Sequence, residues 1–280
     1  MSEKIISPLF PSDGELQDST PKPWESRIEA IKENSEENLD QILNDIVPNI
    51  SFSDEDIAEI ENIRNTLGIT INCRAHITIP ELLQTGRIHS GVEGHKFGGK
   101  FLKLLDFGGY RLRQKVEKAL GIKPRGTPDD PELIYGAAVH DTAKDLEGGT
   151  GGWFGDTVIV LNTERVKDRT TFTPGDSFYQ KEKNHRIVTW EWVPVLKFIR
   201  DKIVGDYVEA QIAGGVTTED ITEIRFKADS VEQFRRILDQ LGGVEAIHKK
   251  MPWLRLTYTG QFRDRGSGTH AQADKEQLAA

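Results

Sequence analysis

Short strand-like segments separated by long, irregular connections limit the folds open to this chain. Residues 69–74 alternate between apolar and polar side chains, as a half-buried strand does. Five other segments are also predicted strands: 133–140, 157–162, 207–212, 221–226 and 254–259. Strands that are this short and this irregularly connected predict an α+β fold.

Helical patterns precede the first strand. One apolar stripe at helical spacing is formed by Ile28, Ile31, Leu39, Ile42, Leu43 and Ile46. Ser53, followed by Asp56 three residues later, predicts the N-cap of a second helix, which Gly68 would end. Further helices are predicted at 80–85, 189–204 and 230–241. Pro80 marks the start expected for the first of these.

The chain therefore has four predicted parts. Residues 1–22, rich in Pro, Ser, Asp and Glu, are expected to be a disordered tail. Residues 23–67 would form a helical module, 68–262 an α+β domain and 263–280 a flexible tail. The N-terminal part is strongly acidic, since residues 1–67 carry a net charge of −11 against −9 for the whole chain. This excess is either an ordinary solvated helix face, a surface for a basic partner, or a cover over a functional site.

Composition argues against several classes of protein. No apolar run approaches the ~18 residues of a membrane span, and the N-terminal residues lack the apolar segment of a signal peptide. Cys73 is the only cysteine, which excludes an internal disulfide and a cysteine-based zinc cluster. We expect a cytoplasmic protein with neither a metal site nor a membrane partner. A protein delivered into a bacterial cytosol would share these features.

Glu209 and Gln211 are the leading candidates for a functional pair. They lie two apart on the predicted strand 207–212, so both point to the same face, together with Tyr207. A carboxylate can grip a sugar hydroxyl or stabilise a cationic sugar centre, while a neighbouring amide holds an acceptor. A solvated strand face is the alternative interpretation.

A dense group of hydroxyls follows the predicted strand 157–162. Thr171 and Thr173 lie on either side of Phe172 and are suited to pack behind a carboxylate and hold its rotamer. The alternative is a threonine-rich strand followed by an Asx turn.

Arg74 and His76 lie at the end of the first predicted strand, and Ser90 follows the short helix after it. A guanidinium makes charge-assisted, often bidentate contacts to phosphate. Arg74 is therefore the first candidate for a phosphate ligand and His76 the second, with the Ser90 hydroxyl lining the same pocket. A surface arginine on an edge strand and a structural serine are the alternatives.

The order of these segments resembles a group of bacterial ADP-ribosyltransferase-like proteins that occur among toxin-like and phage-associated proteins. The resemblance covers residues 69–226. It rests on Tyr135-Gly136, Phe154-Gly155-Asp156, the segment RTTFTPGDS at 169–177 and the segment YVEAQIAGG at 207–215. One position departs from the group's pattern, because Ala213 stands where its members have a histidine.

The resemblance implies a fold, a reaction and ligands. The fold would be an ADP-ribosyltransferase-like split β-sheet core over 68–262, preceded by the helical module. NAD would be the substrate, bound through Arg74, His76, Ser90, Thr171, Thr173 and Tyr207. Glu209 would stabilise the ribose cation as nicotinamide leaves, and Gln211 would orient a macromolecular acceptor, either a protein or a nucleic acid. An antitoxin or a chaperone would be a partner for the acidic helices.

Two other functions stay open from the sequence. A binding module of the same fold would hold NAD or another nucleotide, or act as a phage-associated interaction protein, without turnover. A metal-independent nuclease would need an acid–base pair of histidines. Its candidates are His76, His89, His95, His140 and His185, whose spacing matches no nuclease motif.

Overall fold

A seven-stranded mixed sheet lies at the centre of the part of the protein that the structure describes. The structure is a computed structural model, and it describes residues 23–88, 133–140, 155–175, 186–204 and 207–259. The strands in these ranges are β1 (Leu67–Cys73), β2 (Arg87–Ile88), β3 (Ile134–His140), β4 (Thr157–Leu161), β5 (Thr170–Pro174), β6 (Val208–Ile212), β7 (Val216–Thr217), β8 (Ile221–Lys227) and β9 (Arg255–Thr259). The α-helices are α1 (Pro23–Ile46), α2 (Asp54–Thr66), α3 (Ala75–Thr85), α4 (Thr163–Val166), α5 (Val193–Ile199), α6 (Val231–Gln240) and α7 (Val244–Lys250). This mixture is consistent with the predicted α+β class.

The strand order fixes which residues meet across the sheet. The large sheet has the order β5-β6-β3-β1-β4-β8-β9, and β2 pairs with β7 in a separate ladder. The neighbours in the large sheet are antiparallel, except for the parallel pair β8 and β9. Because β6 has β5 on one side and β3 on the other, hydrogen-bond ladders on both sides hold its backbone.

The sheet consists of two halves joined through β1, which changes partners at Thr70. Residues 67–70 pair with β3, whereas residues 70–73 pair with β4. The half β5-β6-β3 and the half β4-β8-β9 therefore diverge beyond Thr70, towards the C-terminal end of β1. Gly136 allows β3 to lie very close to β1 at this point, since a Cβ atom there would be 2.3 Å from the Thr70 carbonyl oxygen.

One face of the sheet is apolar and the other is largely polar. Residues directly opposite each other on paired strands point to the same face. A single row on the polar face crosses all seven strands through Thr173, Glu209, Ala137, Thr70, Val160, Glu223 and Arg255. The alternate residues, such as Ile69, Ile159 and Phe172, belong to the hydrophobic core on the opposite face.

The N-terminal helices pack into this same core. Leu39 of α1 and Ile63 of α2 are 4% and 1% exposed and belong to one cluster with Ile159 of β4. Burying a side chain of this size stabilises the fold by about 1.5–3 kcal/mol. Polar contacts add to the attachment of α1, because Asn38 Nδ2 donates to the Ile187 carbonyl oxygen at 2.9 Å. The division of the chain at residue 67 stays a prediction.

Two helix boundaries predicted from the sequence are wrong. Gly68 does not end α2, which stops at Thr66; it is the second residue of β1 and pairs with Val139. The short helix α3 does not begin near Pro80 but at Ala75. It begins earlier because the Asp156 carboxylate accepts a hydrogen bond from the Ala75 backbone N–H at 2.8 Å. This N–H is one of the first-turn donors that have no partner within the helix.

Several local predictions are confirmed. Ser53 caps α2 in a reciprocal capping box with Asp56, and Ser230 caps α6. Gly86 ends α3 in the left-handed conformation, with φ 76°. The helix predicted at 189–204 consists of a 3-10 turn (Trp190–Trp192), α5 and a π-helical turn (Arg200–Val204). The two predicted tails and the glycine-rich stretches at 90–110 and 148–152 lie outside the described residues.

Candidate functional site

Glu209 and Gln211 lie side by side on β6, on the polar face of the sheet. Thr173 is directly opposite Glu209 on β5, and Thr171 is directly opposite Gln211. On the other side, Ala137 of β3 is opposite Glu209. The small Ala137 side chain leaves the carboxylate flanked by hydroxyls on one side and by a methyl group on the other.

The Gln211 amide connects the members of this group, which we call the Glu209 network: Thr171, Thr173, Glu209 and Gln211. Gln211 Nε2 donates to Glu209 Oε1 at 2.8 Å and to Thr173 Oγ1 at 2.9 Å. Gln211 Oε1 accepts a hydrogen bond from Thr171 Oγ1 at 3.1 Å. Thr173 Oγ1 in turn donates to the Gly175 carbonyl oxygen at 3.2 Å. Each bond fixes the direction of the next, so the amide has one orientation.

The Glu209 network is almost completely buried. Glu209 is 3% exposed and Gln211 is 0% exposed. Removing a carboxylate from water is costly unless hydrogen bonds replace its hydration. The charge-assisted bond from Gln211 supplies part of that replacement. A buried carboxylate held by a hydrogen bond on an interior strand of a sheet is an arrangement suited to stabilising positive charge in a dry site.

The structure refines the roles predicted for these residues. The two threonines lie beside the acid, but their hydroxyls contact the Gln211 amide and not the Glu209 carboxylate. Both hydrogens and the oxygen of that amide have protein partners, so Gln211 holds Glu209 in this structure. Its predicted contact with an acceptor stays a prediction and would require one of these bonds to break.

Tyr207 and the two candidate phosphate ligands lie in different elements of the fold. Tyr207 is half-buried and directly precedes β6. Arg74 does not end the strand, as predicted, but follows it as the N-cap of α3, and His76 lies in the first turn of that helix. Both side chains are exposed. Since Arg74 is four residues beyond Thr70, it lies about 13 Å along β1 from the row that contains Glu209.

No hydrogen bond joins Arg74 or His76 to the Glu209 network among the residues that the structure describes. Their location is nevertheless at the end of β1 where the two halves of the sheet diverge. Only an extended ligand could touch both Arg74 and Glu209. Ser90 lies outside the described residues.

Arg169 and Asp220 form a second group that the sequence analysis did not single out. Arg169 Nη1 donates to the carbonyl oxygens of Ala213, at 2.5 Å, and Gly215, and Arg169 Nη2 donates to Asp220 Oδ2 at 2.9 Å. The Asp220 carboxylate also accepts from the backbone N–H and the hydroxyl of Thr217. The sequence spacing of Thr217 and Asp220 is a local signal of their capping box. No local pattern indicates that Arg169 is the partner of Asp220.

Ala213, the position that departs from the resembled pattern, lies in a small apolar cluster beside the site. It is 4% exposed and packs with Ile28 of α1, Leu133 and Ile187. Trp24 of α1 lies over the next residue, since a Cβ atom on Gly214 would be 3.1 Å from its Nε1. The N-terminal half of α1 therefore covers the end of β6 next to Gln211.

The other half of the sheet carries its own polar group on the same face. Both Arg225 and Arg255 donate to the Glu223 carboxylate, and Thr257 Oγ1 donates to it at 2.6 Å. Burial alone would raise the pKa of Glu223, but the hydrogen bonds from Arg225, Thr257 and Arg255 outweigh it and hold the pKa below its usual range. This carboxylate is fully engaged in ion pairs with two arginines.

No protein-family model matches the sequence, and no curated protein matches it. Within the described ranges, no group of three or more His, Cys, Asp and Glu side chains is arranged to hold a metal ion. None of the described helices combines the length and the apolar character needed to cross a membrane. The basis for a functional assignment is thus the geometry of the Glu209 network.

Proposed function

We propose that this protein is an ADP-ribosyltransferase that transfers ADP-ribose from NAD to a macromolecular acceptor, with Glu209 as the catalytic residue. The observation that carries the proposal is the burial of a carboxylate on the interior strand β6, held in one rotamer by the amide of Gln211.

The chemistry requires a negative charge near the ribose. The bond between the nicotinamide nitrogen and ribose C1′ breaks, nicotinamide leaves with the electron pair, and positive charge develops at C1′. Glu209 accepts a hydrogen bond from the ribose 2′-hydroxyl and stabilises this charge. The acceptor then forms a bond to C1′ and loses its proton. Fixed charge in a dry site is often the largest single contribution to such a rate.

The divergence of the sheet at Thr70 supports the predicted split β-sheet core. It opens between β1 and β3, next to the strand that carries Glu209. In this proposal an extended dinucleotide lies in the opening, with its ribose at Glu209 and Tyr207 and its pyrophosphate towards Arg74. His76 is the second candidate for the pyrophosphate, and Ser90 is retained as a further candidate ligand.

The proposal includes a biological setting that the resemblance suggests. The protein would act in the cytoplasm, or in a bacterial cytosol into which it is delivered, as a toxin or an effector in phage conflict. Its acceptor would be a protein or a nucleic acid. The acidic surface of α1 and α2 would bind an antitoxin or a chaperone.

The test is incubation of the purified protein with labelled NAD and a bacterial lysate, followed by separation of protein from RNA and DNA. We expect label in one fraction and released nicotinamide, both lost in Glu209→Gln. Glu29→Gln is a matched control, because it removes an exposed carboxylate from α1 and should leave transfer unchanged. Transfer that persists in Glu209→Gln would refute the assignment.

A binding module is the second candidate, and one observation favours it. Every polar atom of the Gln211 amide already has a protein partner, as in a structural network. Such a module would bind NAD, as shown by an increase in melting temperature, without releasing nicotinamide. The nuclease alternative has less support, because His76 and His140 lie at opposite ends of β1. The other three candidate histidines lie outside the described residues.

A further inference from the structure

Arg169, which directly precedes β5, holds the turn that follows β6. The Ala213 backbone N–H donates to the Arg169 carbonyl oxygen at 2.9 Å, which continues the β5–β6 ladder by one more residue. The Arg169 guanidinium then folds back to the carbonyl oxygens of Ala213 and Gly215. Backbone and side chain of one residue thus hold the same turn.

This turn needs a side-chain hydrogen-bond donor because its backbone conformation leaves carbonyl groups outside the strand ladder. Gly214 and Gly215 both have positive φ values, 76° and 74°, which only glycine adopts easily. Carbonyl groups in a turn of this kind require partners from outside the regular ladder. Arg169 supplies them, and Asp220, which is 4% exposed, neutralises the guanidinium. The Asp220 carboxylate also binds the Thr217 N–H and so links the turn to the start of β8.

The consequence for the candidate site is a fixed register. The network requires Thr171 opposite Gln211 and Thr173 opposite Glu209. A slip of one residue would put Phe172 opposite Gln211 and turn the threonines to the other face. β5 and β6 have only five residues each, so contacts at their ends matter for the register.

We propose that Arg169 and Asp220 are positioning residues for the Glu209 network. They do not touch the carboxylate; they hold β5 against β6 so that the Gln211 amide stays bonded to Glu209. This inference rests on the proposed function only where it predicts an effect on catalysis. Arginine is required because one planar guanidinium reaches two carbonyl oxygens and a carboxylate at once, which a single ammonium group cannot reproduce.

The test uses the full-length protein with Arg169→Lys and, as a second variant of the same pair, Asp220→Asn. Arg64→Lys is the matched control, because Arg64 forms an exposed ion pair on α2 far along the chain from the site. The first measurement is the hydrogen exchange rate of the Gln211 side-chain amide by NMR. We expect an increase of roughly tenfold in both variants, with unchanged exchange for the backbone amides of β4 and β8.

The second measurement is steady-state nicotinamide release. We expect kcat to fall on the order of tenfold to a hundredfold, with KM for NAD changed less than about threefold, because the substrate contacts remain and the carboxylate moves. Unchanged exchange at Gln211, or faster exchange throughout the sheet, would overturn the inference whatever the activity. Faster exchange confined to Gln211, in a protein whose wild type releases no nicotinamide, would support the positioning role and refute the proposed reaction.

Discussion

Replacing Gln211 by methionine would remove the centre of the Glu209 network while keeping an unbranched side chain of similar length. The substitution deletes two bonds to threonine hydroxyls and one to a carboxylate. A neutral hydrogen bond contributes about 1 kcal/mol to the free energy of unfolding, and one to a charged group about 2 kcal/mol. The expected loss is therefore about 4 kcal/mol, of which the apolar methionine regains about 1 kcal/mol through burial.

The net loss of about 3 kcal/mol corresponds to a decrease in Tm of roughly 6–12 °C for a protein of this size. Urea unfolding followed by circular dichroism measures the free energy, and Thr171→Val should lose only about 1 kcal/mol, since it removes one bond. Gln41→Met is the control, because its amide bonds only to Glu37 on the exposed side of α1 and is worth about 0.5 kcal/mol. If Gln211→Met were as stable as Gln41→Met, the amide would not be committed to the protein, and its predicted role in contacting an acceptor would gain support.

Two further substitutions or treatments test the electrostatics of buried groups. Glu223→Gln should destabilise the protein by about 3 kcal/mol at pH 7, because it breaks the buried ion pair between Glu223 and Arg225. Because the pKa of Glu223 is lowered in the folded state, its contribution to the free energy of unfolding is present above about pH 4.3 and is lost as the pH falls through the folded-state pKa. The difference in stability between Glu223→Gln and wild type should therefore narrow at pH 3. An equal difference at pH 7 and pH 3 would contradict this. Burial raises the pKa of Cys73 to about 12, so its thiol should resist a disulfide reagent at pH 8 until urea unfolds the chain. A native thiol that reacts as fast as the unfolded one would show that Cys73 is accessible.

Short-range patterns in the sequence predicted the local features of this fold. Alternation placed Glu209 and Gln211 on one face, and the register of β6 against β5 bears this out. The caps at Ser53 and Ser230 were also predictable, because a cap depends only on residues three apart. The end of α2 was not, since Gly68 suits both a helix stop and a strand, and pairing with β3 decides between them.

The contacts that build the site depend on strand order, which local patterns do not determine. Thr171 and Gln211 are 40 residues apart, and Arg169 and Asp220 are 51 apart. The sequence therefore suggested that the threonines would support a carboxylate, but it did not reveal that an amide lies between them. For the same reason it gave no sign that Arg169 would hold the turn after β6.

Ala213, where the resembled group has a histidine, packs against α1. The methyl group of Ala213 contacts a cluster that includes Ile28, and the indole of Trp24 lies against Gly214. A histidine at position 213 would need the volume that these α1 side chains fill, and burial among apolar neighbours would leave its ring nitrogens without water. An alanine at position 213 therefore suits the packing of α1 against the end of β6. In this chain the N-terminal helix, and not a histidine, shapes the end of the strand that carries Glu209 and Gln211.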